Sequence, residues 1–197
     1  MKIGRLLLRT AVGGFFVGHG TQKLFGWFGG SGIEGTAKGF ESLGLHPAKA
    51  NAVVAGAAEA GGGALMLAGF ETPVAAAVLT STMLTAIKTV HFKNGPWATN
   101  GGYEYNVVLI AAALAIAEVG PGPLSLDAAR GHERHGSRWA LAALAGGVIG
   151  AVGAHFSAAA NQPAAAPASA NGAGPEEQQP ASAPAPRAPE PPRTASI

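Results

Sequence analysis

The chain has 197 residues, of which 48% are hydrophobic and only 12% charged, about half the charged share of an ordinary soluble domain. A formal net charge of +2 with no continuous basic patch argues against nucleic acid as a partner. The lack of cysteine excludes disulfides, thiolate-ligated iron–sulfur clusters and any thiol redox step within the chain.

Lys2, Arg5 and Arg9 open the chain and lead into an apolar stretch that contains His19, Gln22 and Lys23. It runs on into Leu24-Phe25-Gly26-Trp27-Phe28 without a small-x-small cleavage site, so it reads as a retained first span, about Arg5–Trp27, and not as a signal peptide. A helix needs about 20 mostly apolar residues to cross the hydrocarbon core. Four further stretches meet or approach that length, at about Ala48–Phe70, Pro73–Phe92, Glu104–Val119 and Trp139–Phe156. Their apolar runs are continuous and do not alternate, which predicts helices and not a barrel. Gly29-Gly30-Ser31-Gly32, Glu71-Thr72-Pro73, Asn94-Gly95-Pro96 and Gly120-Pro121-Gly122-Pro123 punctuate the runs. In the first loop Ile33, Ala37, Phe40 and Gly44 share a helical spacing, which predicts a short helix at the membrane surface.

The fifth stretch carries a small-residue stripe, Ala142, Gly146, Gly150 and Ala154, suited to close helix packing. Residues 158–197 hold nine of the fourteen prolines and no aromatic residue, a composition that predicts a disordered tail. The expected fold class is an all-α membrane protein: a four-helix transmembrane bundle, a fifth transmembrane helix and a disordered C-terminal tail. The corresponding divisions are 1–128, 129–157 and 158–197. With the N-terminus inside, the inner segments hold six Lys or Arg (Lys2, Arg5, Arg9, Arg130, Arg134, Arg138) and the outer loops three (Lys38, Lys49, Lys93). The bias predicts a multi-pass protein of the bacterial plasma membrane with a cytoplasmic N-terminus and an extracytoplasmic tail.

Charges at membrane depth are costly, by about 2.5–3.5 kcal/mol each on insertion scales, so each needs a reason. Arg9, His19, Gln22 and Lys23 fall on one face of the first span, Glu59 lies near the middle of the second, and Ser81, Thr85, Lys88 and His91 share a face of the third. Glu104 opens the fourth. The expected topology brings His19, Lys23, Glu59, Lys88, His91 and Glu104 from four helices to one depth. The candidate ligand-binding set is therefore Arg9, His19, Gln22, Lys23, Glu59, Lys88, His91 and Glu104. Each has a plainer role as well: Arg9, Lys23 and Lys88 can snorkel to the headgroups, Glu59 can form an ion pair with Lys23 or Lys88, and the histidines can bond to backbone.

Several motifs occur in order: Arg5-Leu-Leu-Leu-Arg9, His19-Gly-Thr-Gln22-Lys23-Leu-Phe-Gly26, Glu59-Ala-Gly-Gly, the segment from His91-Phe to Gly102-Tyr-Glu104-Tyr-Asn106, and Gly120-Pro-Gly-Pro-Leu-Ser-Leu-Asp127. Over about residues 4–128 this pattern resembles the DoxX family of small bacterial membrane proteins. The resemblance implies a four-helix membrane bundle associated with oxidoreductases that exchange electrons with quinone, such as thiosulfate:quinone oxidoreductase and terminal quinol oxidase systems. The family's polar positions fall on Arg9, His19, Lys23, Glu59, His91 and Glu104. The fifth span and the tail depart from that pattern.

No Gly-rich segment sits in the strand–turn–helix context of a flavin or nicotinamide site, so the chain is at most a subunit of an enzyme. The leading expectation is an integral membrane subunit of a quinone-linked oxidoreductase complex whose polar cluster binds a quinone headgroup or a small anion. It has no intrinsic cofactor and no metal. Its partners are the lipid bilayer and redox-enzyme proteins, with association between copies of the chain left open. A non-catalytic membrane adaptor or scaffold and a small transporter are the alternatives.

Overall fold

The computed structural model describes residues 3–162. Every regular element among them is helical. α1 spans Ile3–Phe25, α2 Gly32–Ser42 and α3 Ala48–Ala68. α4 spans Thr72–Ala86 and is prolonged by a π-helical turn, Ile87–His91, and a short 3-10 turn, Phe92–Asn94. α5 covers Glu104–Val119, α6 is the single turn Leu126–Ala129, and α7 runs from Ser137 to Ala160.

Among the described residues, three helices are long and apolar enough to cross a membrane: α3, α4 with its prolongation to Asn94, and α7. The stretch expected to span fifth, Trp139–Phe156, is thus a 24-residue helix that outruns its expected bounds at both ends. α1 has the length but carries Arg5, Arg9 and Lys23, and α5 has only 16 residues. Residues 158–160, expected in the tail, belong to α7. The expected disorder of the remainder lies outside the described residues.

The helix boundaries follow from local chemistry. α3 ends where Gly69 takes a left-handed φ of 61°, letting Phe70 N–H return to the Leu65 carbonyl at 2.9 Å. Only Asp127, far along the chain, supplies the cap that α4 lacks locally. Its carboxylate accepts from Glu71 N at 2.8 Å, from Thr72 N at 3.1 Å and from the Thr72 hydroxyl at 2.8 Å. Amides at a helix start are unpaired and partially positive, so a carboxylate there satisfies both needs.

Apolar side chains gain little by leaving lipid for protein, so close approach of backbones has to hold such helices together. α1 meets α3 along a glycine seam. A methyl group added at Gly13 or Gly63 would overlap main-chain atoms of the facing helix, and one at Gly20 would overlap the main chain of Gly56 and Ala60. α4 packs against α3, α5 and α7 and carries much of the core, with Ala75, Ala76 and Leu79 essentially inaccessible. On α7, Gly146 and Gly150 meet α4 as their spacing suggests, beside the buried Ala143 and Gly147, whereas Ala142 and Ala154 are exposed. α2 packs on α3 and α1 and buries Ala37.

Candidate functional site

α1 buries a stripe stepping by four and three residues: Arg9, Gly13, Phe16, Gly20. The next step is Lys23. Fourteen residues of helix, about 21 Å, separate the two charges at its ends. The single polar face expected for Arg9, His19, Gln22 and Lys23 is therefore divided between two ends of the molecule.

Near the start of α1, Arg9 is buried, its guanidinium donating to the carbonyls of Pro121 at 2.6 Å and Leu124 at 2.5 Å. Snorkelling was its plainer expectation, and the observed role differs: Arg9 fastens the Gly-Pro-Gly-Pro loop, which has few amides to satisfy its own carbonyls. Arg5 adds a bond to the Val119 carbonyl at 2.9 Å. Ser125 caps α6, Asp127 caps α4, and Arg134 pairs with Glu71 at 2.6 Å. Asp127 had no assigned role in the sequence. Its signal would have been the Thr72-Pro73 helix start, which has no capping side chain of its own.

The Lys23 end differs. Lys23 Nζ lies 2.5 Å from Glu59 Oε2, with the Lys side chain 26% and the Glu side chain 9% exposed. The pair crosses from α1 to α3 at the end of the glycine seam and faces a cavity of about 390 Å³ bounded by α2, α3, α4 with its π turn, and α7. Ser81, Thr85, Thr89 and His91 line the same cavity, as does Asn51. Asn51 Nδ2 is buried with no hydrogen-bond partner among the described residues. Its place was legible in part, since Asn51, Ala55 and Glu59 are two four-residue steps along one face of α3.

His91 Nδ1 lies 2.7 Å from the Gly101 carbonyl. A carbonyl can only accept, so Nδ1 carries the proton and Nε2 of the neutral ring is left as an acceptor. Lys88 is exposed and lines a second, adjoining cavity. Glu104 accepts from Ala98 N at 2.8 Å and holds the loop before α5. His19 is exposed, bonded to Gln22 at 3.1 Å, and Gln22 in turn donates to the Phe28 carbonyl at 3.3 Å. Of the candidate residues, the structure brings Lys23, Glu59 and His91 to one cavity, and it places Arg9, His19, Gln22, Lys88 and Glu104 elsewhere. His19 misses because it stands off the Arg9-to-Lys23 stripe.

The fold and its apolar helices define a helical membrane protein. Residues 4–92, from α1 through the π turn, match the model of the family described as DoxX. No curated protein and no solved structure matches the chain. Lys23, Glu59 and His91 lie inside the matched stretch. Asp127 and the α7 wall of the cavity lie beyond it.

Proposed function

We propose that this chain is an integral membrane subunit of a quinone-linked oxidoreductase complex and that the Lys23–Glu59 cavity receives the quinone headgroup. The observation that carries this reading is the placement of a nearly buried ion pair, an unpartnered Asn51 amide and His91 around one cavity of about 390 Å³. That volume falls within the roughly 300–1,000 Å³ usual for small-molecule sites. The Lys23 ammonium and Asn51 Nδ2 are donors suited to quinone carbonyls, and Glu59 and His91 Nε2 are acceptors suited to hydroxyls. A bound quinone would supply two-electron, two-proton chemistry. The residues themselves orient the ring, exchange protons with it and screen it from water. Electrons then come from partner proteins. A small anion fits less well, because it would have to draw Lys23 away from the Glu59 carboxylate that already neutralises it.

The proposed topology has five spans, α1, α3, α4, α5 and α7, with the N-terminus in the cytoplasm. Its support is the bias of six inner to three outer Lys and Arg. A reporter active only outside the cytoplasm, fused after Ile197, should be active; silence there, with a working cytoplasmic reporter, rejects this topology.

A ligand that binds only the native state raises stability by mass action. Purified protein in mild detergent should therefore melt at higher temperature with a short-chain benzoquinone. Lys23→Ala and His91→Ala should abolish that increment. No shift in the parent protein with any quinone would reject the site and favour a membrane adaptor.

A further inference from the structure

A second cavity, of about 260 Å³, opens between α4 and α7. It shares four lining residues with the Lys23–Glu59 cavity: Leu45, Thr85, Thr89 and Ala154. The two chambers thus adjoin and differ in chemistry. Leu84, Val152 and Phe156 make the second chamber largely hydrocarbon in character, although the exposed Lys88 and His155 also line it. Thr85 and Thr89 do not change this, because their hydroxyls already donate to the carbonyls of Ser81 and Thr85 on their own helix, at 2.9 and 2.8 Å. The small residues of α7 explain why there is room. Gly147 and Gly150 press against Thr80 and Ser81, and the slot lies beyond that contact, where Ala151 and Ala154 are the small residues of α7 that line it. Val152 is 48% and Phe156 68% exposed, so the outer mouth of this slot opens on the lipid-facing side of α7.

A polar chamber adjoining a hydrocarbon slot that opens toward lipid is the negative shape of a single-tailed amphiphile. We propose that the slot between α4 and α7 is a tail-binding subsite for the isoprenoid chain of a quinone, with its ring in the Lys23–Glu59 cavity. This rests on the quinone reading above for the ring and adds the tail. A phospholipid is a poorer occupant, since its two chains would need two slots and its phosphate would sit against Glu59. The site is then selective for long-tailed over tail-less quinones, and α7, outside the DoxX match, supplies one wall of that selectivity.

The test compares a tail-less dimethoxy-methyl-benzoquinone with the same ring bearing a ten-carbon tail, by thermal shift in one detergent. The parent should bind the tailed ring at least ten-fold more tightly. Ala151→Leu fills the slot at a half-buried position that lines this chamber and not the ring cavity, so it should erase that advantage while leaving the tail-less affinity unchanged. Gly153→Leu, on the same helix but away from the slot, should keep the advantage. Equal binding of both rings by the parent, or an advantage that survives Ala151→Leu, overturns the subsite. A photoreactive fatty alcohol, which has a tail and no ring, separates this proposal from the ring reading. If neither ring binds but the probe labels the peptides holding Leu84 and Val152, and Ala151→Leu stops the labelling, the ring reading fails and the tail slot stands. Without such labelling in that case, both fail.

Discussion

Arg9 and Asp127 near one end of the molecule, and Lys23 and Glu59 near the other, are each a cation and a carboxylate buried in an apolar bundle. Their surroundings differ in one respect. Arg9 donates to two carbonyls and Asp127 accepts from two amides and a hydroxyl, so both are committed to the chain's own backbone. Lys23 and Glu59 are committed only to each other and face a cavity. Buried charge is costly wherever it lies. The first pair offsets that cost by closing loops and capping helices; the second leaves a polarised surface that another molecule can meet. The same residue types thus serve architecture at one end and, in the proposal above, recognition at the other.

The comparison can be broken most easily at Asp127. Asp127→Ala should cost the most stability, about 3–5 kcal/mol, because it strands the first amides of α4 and removes a charge from three hydrogen bonds. It should leave any quinone-dependent shift of the folded fraction intact. Detergent melting of this variant with and without the quinone tests both statements, and a stable variant that has lost its ligand response would merge the two ends into one site.

Removing one partner at the Lys23 end should cost less, about 3 kcal/mol at most, because the Lys side chain is about one-quarter exposed. Glu59→Ala strands the ammonium, and Lys23→Ala strands the more deeply buried carboxylate. The double substitution should recover most of the loss, so the double-mutant cycle should show strong coupling. Additive losses would mean that the pair is not a dry ion pair.

The smallest effect belongs to a control on the same end. Lys49 and Glu34 make the same 2.5 Å contact as Lys23 and Glu59, but with side chains 67% and 75% exposed. The hydrogen bond and charge of Lys49 hold the Glu34 carboxyl below its usual range. A carboxyl whose folded pKa is lowered contributes stability above its unfolded value, about 4.3, and loses that contribution as pH falls through the folded value. Lys49→Ala should therefore melt slightly below the parent at neutral pH, with the gap closing in acid. A gap that persists at about pH 3 would assign it to something other than the carboxylate.

What the sequence disclosed and what it withheld follow the same division. The helices were legible because continuous apolar runs broken by Gly and Pro permit little else. The Lys23–Glu59 pair was among the expected alternatives, since a carboxylate near the middle of an apolar helix demands a partner. The contacts of Arg9 and Asp127 were not legible. They join residues 112 and 55 positions apart, and a partner that is a main-chain group has no side-chain signature. The division of the α1 polar face needed the α1–α3 crossing, because only the seam at Gly13 and Gly20 shows which side of α1 is buried. Ala154 was expected on a packing stripe. It lies one turn beyond the tight approach at Gly150, where it lines both cavities.

The glycine seam also fixes where descendants of this sequence are free to differ. Main-chain atoms oppose Gly13, Gly20 and Gly63, and no rotamer change can make room there for even one carbon. At Gly56 the first obstacle is the side chain of Leu24, which can turn aside, and at Gly14, Gly18 and Gly61 there is none. Inheritance is therefore frozen along one edge of α1 and permissive a residue away, and the walls that α2, α3, α4 and α7 give the Lys23–Glu59 cavity lie off that frozen edge.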